Sequence, residues 1–168
     1  MPSHNRGKIV LAGKAHKAKK FTTRYNIPMR SYRKVILHSG RSRIVQVVME
    51  STVPDFSKGR VVLLDKNKRV ARANYEDVSL STFYGKKTFY LNNIKVSDGY
   101  REEGFCRQLI SEIGSVAKSR GGNSLTLHVE KENTAAQAVY EKIGFKKIHE
   151  SANIQADGKP VFSMRLAL

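Results

Sequence analysis

Short bursts of alternating apolar and polar residues dominate the first half of the chain. Residues 34–38 and 43–48 are two such bursts, and the connection Ser39-Gly40-Arg41-Ser42 between them predicts a hairpin. Pro54, Asp55 and Gly59 mark a linker. Residues 60–64 and 69–75 then predict a second hairpin around the polar turn Asp65-Lys66-Asn67-Lys68, and the run Phe89-Tyr90-Leu91-Asn92-Asn93-Ile94-Lys95-Val96 extends the meander. After residue 100 the period changes. Leu109, Ile110, Ile113 and Val116 or Ala117 recur at helical spacing from about 104 to 119, where Gly121-Gly122 stops the helix. Leu125, Leu127 and Val129 alternate as a strand, and Ala135, Ala138, Val139 and Ile143 predict the apolar face of a short helix ending at Gly144. Residues 146–150 and 160–166 complete a terminal hairpin. Strands followed by β-α-β-α-β-β predict an α/β (α+β) fold, a mixed and mainly antiparallel sheet with helices packed across it.

The segment 94–106 carries the candidate chemistry. A strand, a short loop with glycine at its fourth position and a helix prepare a backbone to hold a pyrophosphate. Loop and helix-start N–H groups converge there, and the helix dipole adds positive potential. Arg101-Glu102-Glu103-Gly104-Phe105-Cys106 is such a loop. About twenty residues on, the strand at 124–129 precedes Asn133 and Tyr140-Glu141-Lys142-Ile143-Gly144-Phe145. The arrangement resembles the Gcn5-related N-acetyltransferase (GNAT) family over residues 60–168. That family's loop reads Gln/Arg-x-x-Gly-x-Gly/Ala, and its second half carries an Asn and a Tyr-Glu-x-x-Gly-Phe element.

The resemblance implies acetyl-CoA as cosubstrate. The backbone of Arg101, Glu102, Glu103, Gly104, Phe105 and Cys106 would cradle the pyrophosphate. Ile94, Lys95 and Val96 would line the pantetheine arm, and Asn133 would contact the cofactor or fix the loop before the second helix. Tyr140 matches the tyrosine that protonates the departing thiolate; by itself it also fits a core tyrosine. His128, in Leu127-His128-Val129, stands where the ribosomal-protein alanine N-acetyltransferase branch carries Glu. An imidazole there could take a proton from the amine, or be a satisfied core histidine.

The sequence departs from the family in three places. Residues 1–59 show no amphipathic helix pair of the kind that usually shapes the acceptor side, so that pair is expected to be reduced or replaced. Glu102 and Glu103 put carboxylates where a phosphate would sit, costing on the order of 1 kcal/mol each unless they point to solvent. Cys106 replaces a Gly or Ala. The leading reading is an acetyl-CoA-dependent N-acetyltransferase. The alternative is a catalytically silent fold of the same kind serving as a nucleic-acid-bound structural or regulatory component.

Composition adds the partner. Of a net charge of +17 over 168 residues, twelve Lys and Arg fall in residues 1–49, and the first acid is Glu50. Residues 1–30 read as a basic arm and 31–168 as the acetyltransferase domain. Lys14, Lys17, Lys19, Lys20 and Arg24 are the candidates for contacting the phosphates of RNA or DNA. One cysteine and five scattered histidines offer no metal-ligand spacing. The lone thiol excludes an internal disulfide, and no apolar stretch is long enough to cross a bilayer. A cytoplasmic setting is expected, with no membrane partner.

Overall fold

Eight strands form one sheet in the order β1-β2-β3-β4-β5-β6-β8-β7, and every neighbouring pair is antiparallel except β5–β6. The computed structural model describes residues 29–151 and 158–168, apart from 38, 52, 54 and 80–86. The strands are β1 (Met29–Ile36), β2 (Ser42–Ser51), β3 (Lys58–Asp65), β4 (Lys68–Asp77), β5 (Thr88–Val96), β6 (Ser124–Glu130), β7 (Lys146–Ser151) and β8 (Val161–Ala167). The helices are α1 (Phe105–Ser119), between β5 and β6, and α2 (Thr134–Ile143), between β6 and β7. The expected mixed fold is the one observed. The arm residues Lys14, Lys17, Lys19, Lys20 and Arg24 lie outside the described residues.

Alternation puts one apolar row of each strand on the same face. Val45, Val47, Val61, Leu63, Ala73, Phe89, Leu91, Leu125 and Leu127 are almost fully buried there. Against them α1 lays Leu109, Ile110, Ile113 and Ala117, which fall on one stripe because 113 lies four and three residues after 109 and 110, and 117 four after 113. Each of the larger side chains in that stripe contributes roughly 1.5–3 kcal/mol by leaving water. The predicted stripe of α1 is therefore correct.

The predicted face of α2 is right only at Ile143. Ala135, Ala138 and Val139 are exposed, whereas Gln137 is buried and Ala136, Tyr140 and Ile143 pack against the core. The Gln137 amide donates to the carbonyls of Glu130 at 3.0 Å and Lys131 at 2.9 Å. Two satisfied backbone acceptors turn that polar side chain inward, and the small alanines carry too little apolar surface to oppose it. Asn133 caps the helix, accepting from the Ala136 N–H at 3.1 Å.

Strand β1 starts at Met29, five residues before the alternation becomes legible. As an edge strand it buries only Val35, so Arg30, Tyr32 and Lys34 hide its period. The connections β1–β2 and β2–β3 are short, spanning 37–41 and 52–57. Among the described residues from 29 to 79 there is no α-helix, so the expected helix pair is replaced by hairpins there. No helix among the described residues is long and apolar enough to cross a membrane.

One ion pair fastens this edge to α1. Arg33 Nε donates to the buried Glu112 Oε1 at 2.9 Å, and the Gln108 amide donates to the same oxygen at 2.7 Å. Removing the guanidinium strands a carboxylate in the interior. Arg33→Ala is expected to cost about 2–3 kcal/mol in urea unfolding, and Arg33→Ala/Glu112→Leu to recover most of it. Equal losses in the two variants would show that the pair does not act as a unit.

Candidate functional site

The sheet opens at its parallel pair. Strands β5 and β6 are paired only from Thr88↔Ser124 to Leu91↔Leu127, although β5 continues to Val96 and β6 to Glu130. The cause lies in β5. Its register with β4 slips between Arg72 and Asn74, and Asn93 takes a positive φ of 52° there. An extra residue in one strand bends it and strengthens its twist, and Asn is one of the few side chains that accept this conformation. Beyond Leu91, β5 turns away from β6 and leaves a wedge. Ile94 and Val96, half-buried, and Lys95, exposed, lie along it.

The loop after β5 ends in the start of α1. Gly104 occupies the N-cap with φ 89° and ψ −3°, no side chain caps the helix, and its first turn has no acidic residue. The first N–H groups of α1 thus have no side-chain cap, and Gln108 N–H bonds back to the Gly104 carbonyl at 3.1 Å. A Cβ on Gly104 would lie 3.4 Å from the Ile36 carbonyl oxygen, so β1 walls the loop from behind. Phe105 is buried against Tyr100 in an edge-to-face contact at 5.6 Å, which anchors the helix start. Arg101 pairs with Asp98 at 2.8 Å in solvent. Glu102 is exposed. Glu103 is half-buried, and its Oε2 lacks a hydrogen-bond partner.

The remaining predicted residues fall into two groups on opposite faces of the sheet. On the helix side, Tyr140 packs by Phe145 at 5.8 Å and beside Cys106. Gly144, with φ 116°, ends α2 tightly enough for this: a Cβ there would come within 3.2 Å of Leu166. Burial pushes the Cys106 thiol up to about 11, so it stays neutral. Burial, and then Cys106, raise the Tyr140 phenol well above its ordinary range.

On the opposite face, His128 sits half-buried beside Tyr90, with the Tyr90 hydroxyl and His128 Nδ1 3.2 Å apart. Their rings are 5.1 Å apart between centroids. Burial lowers the imidazole below its usual value. Sequence reasoning missed Tyr90, which reads only as a strand residue; the cross-strand register Tyr90↔Thr126 puts it diagonal to His128. Asn133 serves α2 as its cap. Among the described residues no group of three or more His, Cys, Asp or Glu side chains could hold a metal.

Comparison with known proteins accords with this geometry. The sequence is 42% identical over 60 residues to the uncharacterized N-acetyltransferase YobR of Bacillus subtilis, covering 36% of this chain and 24% of that protein. It is 31% identical over 58 residues to the [ribosomal protein bS18]-alanine N-acetyltransferase of Haemophilus ducreyi, covering 34% and 40% respectively. These matches therefore span less than half the length of either relative. The GNAT domain of S. lividans PAT superposes with a TM-score of 0.63 over 82% of this chain and 97% of that domain; at 13% identity it shows the fold alone. The Acetyltransferase (GNAT) family matches residues 25–145, a span that includes the bulged strand, the glycine-turned helix start and Tyr140. A family match through most of the chain, on a fold shared with that GNAT domain, makes this protein a member of the GNAT acetyltransferase family.

Proposed function

We propose that the protein is an N-acetyltransferase that moves an acetyl group from acetyl-CoA to an amine, on a protein or at a nucleic-acid-associated acceptor. One observation carries this reading: the uncapped, glycine-turned N-terminus of α1 stands at the mouth of the β5–β6 wedge. These groups fit the cosubstrate. The free N–H groups of the 101–106 loop and helix start suit a pyrophosphate, and Gly104 leaves its backbone uncovered. The β6-facing side of β5 beyond Leu91 has no strand partner, so the backbone at Ile94, Lys95 and Val96 suits a strand-like pantetheine. Glu102 points to solvent and opposes an anion little, while Glu103 is the one loop residue that fits it badly.

When bound, acetyl-CoA supplies the acetyl group as an activated thioester. His128 takes the proton from the incoming ammonium on the open face. For Nε2 to hold the free lone pair, Nδ1 must carry the hydrogen, and the Tyr90 oxygen stands where it can accept that hydrogen. Tyr140, held protonated by burial on the other face, donates to the leaving sulfur. This reading puts the acetyl thioester in the wedge, where groups from the two faces would meet it.

The pH dependence follows from the sign of the His128 shift. A base is active when deprotonated, and this imidazole sits below its ordinary value of roughly 6.5. The acidic limb of kcat/KM is therefore expected below about pH 6.5, with activity lost as pH falls through it. His128→Ala should flatten that limb. An unaltered pH–rate profile would return His128 to a packing role.

The acceptor is expected to be neutral or acidic overall, or presented beside nucleic acid. A strongly basic protein repels free polycations, and the Haemophilus relative is named for a ribosomal protein. In this reading the basic arm, through Lys14, Lys17, Lys19, Lys20 and Arg24, docks the enzyme on phosphates.

A further inference from the structure

Both helices lie on one face of the sheet. A Cβ on Gly114 of α1 would meet Leu125 and Leu168, and one on Gly144 after α2 would meet Leu166, the cross-strand neighbour of Leu125. Among the described residues no helix covers the opposite face of β1–β5. That face is organised by register. One ladder row runs Arg30, Val48, Val62, Arg72, Lys95 from β1 to β5, and beside it Tyr32, Gln46 and Leu64 continue to Arg69. Val48, Val62 and Leu64 floor a shallow groove of about 350 Å³, which Arg30, Arg60 and Arg69 rim. Tyr32 stands 66% exposed above it, its hydroxyl accepting from the Gln46 amide at 3.3 Å.

The charge of this face is unbalanced. Glu50 faces Arg60 and Glu76 pairs with Lys58, which uses both acids of the face. Arg30, Lys34, Arg69, Arg72 and Lys95 have no carboxylate within ion-pair distance among the described residues. Arg72 and Lys95 are direct cross-strand partners, a placement that destabilises a sheet when both carry the same charge. A bound anion would relieve it.

We infer that this open face is a platform for single-stranded nucleic acid. Phosphates run along the unpaired cations, and bases stack on the exposed Tyr32 beside the half-buried Leu64. Four strand intervals of about 4.8 Å make the face roughly 19 Å wide, room for several nucleotides. A duplex fits poorly, because its bases are read by an element that enters a groove, and a broad sheet face offers none. Unstacked bases suit it, since every base has a π-face for the exposed tyrosine. The surface rests on the polyanion reading of the charge and takes it further, from the arm to the folded domain. It adjoins the His128 side of the wedge, because Lys95 lies on β5 and Arg72 is its partner on β4.

The test uses the full chain and fluorescence anisotropy of labelled twelve-nucleotide oligo(U) and oligo(dT) across a salt series. Wild type should bind with steep salt dependence. Arg30→Gln/Arg69→Gln/Arg72→Gln should weaken binding about tenfold or more and lower the slope of log K against log salt by about 2, at roughly 0.7 per lost phosphate contact. The corresponding triple Lys variant should keep most of the slope, which separates charge from structure. Tyr32→Ala should weaken binding about tenfold with the slope unchanged, and Tyr32→Phe should bind as wild type. Lys118→Gln/Lys142→Gln, on the helices, should have no effect. Acetyl-CoA titrated into each variant reads the cosubstrate site separately, and a full-length variant with Lys14, Lys17, Lys19 and Lys20 changed to Gln reads the arm. Preference for oligo(U) would name RNA, and preference for oligo(dT) would name DNA. Unchanged affinity and slope in the triple Gln variant would overturn the proposal. So would a loss confined to a polyglutamate peptide, which would assign the face to an acidic protein instead.

Discussion

Gly104→Trp is expected to abolish acetyl-CoA binding, with at least a ~100-fold loss of affinity in calorimetric titration, equivalent to about 2.7 kcal/mol. The reason is local. At φ 89° a residue with a side chain is strained by on the order of 1–2 kcal/mol, and the Ile36 carbonyl blocks retreat of the new Cβ towards β1. The indole then has to occupy the approach to the helix N–H groups. Gly104→Asn provides the control for folding, because Asn tolerates a left-handed backbone and its shorter side chain leaves more of the approach open. It should retain the wild-type thermal transition within a few degrees and bind more weakly than wild type but better than the Trp variant. Full affinity in a folded Gly104→Trp protein would place the cosubstrate elsewhere.

Tyr140→Phe should lower kcat about 10²-fold or more and move KM by less than about twofold. Proton donation to a leaving thiolate matters in the transition state, and the ring's packing on Phe145 is kept by Phe. The raised phenol gives the direction of the pH effect. Tyr140 remains protonated until the pH rises above its ordinary range near 10, so no loss of activity attributable to it is expected below that value. Unchanged turnover in the Phe variant would leave Tyr140 as a packing residue between Cys106 and Phe145.

Much of this molecule was legible before folding. Alternation located the hairpins, and the 3.6-residue stripe of Leu109, Ile110, Ile113 and Ala117 located α1. The turn at Asp65–Lys68 was legible because Asn67 accepts the positive φ that a two-residue hairpin loop demands, and Lys66 follows it there. Gly104 announced its loop for the same kind of reason. Such features depend on a few neighbouring residues and on backbone sterics, which sequence carries directly.

What escaped depends on contacts between distant segments. The start of β1 at Met29 is fixed by pairing with Met49, not by its own period. The buried side of α2 is chosen by two carbonyls at the end of β6 that satisfy Gln137. Tyr90 meets His128 across 38 positions because a parallel register brings β5 and β6 together, and no local pattern encodes that register. The open face of β1–β5 is likewise a property of layering. Its cations are spread over β1, β3, β4 and β5, and only the ladder gathers them on one surface. The sequence by itself determined which elements form and where a glycine-turned helix start falls, because those are set by local steric and hydrophobic preferences. The tertiary structure decided which side chains share a face of the sheet, because strand pairing and side-chain satisfaction are settled between elements.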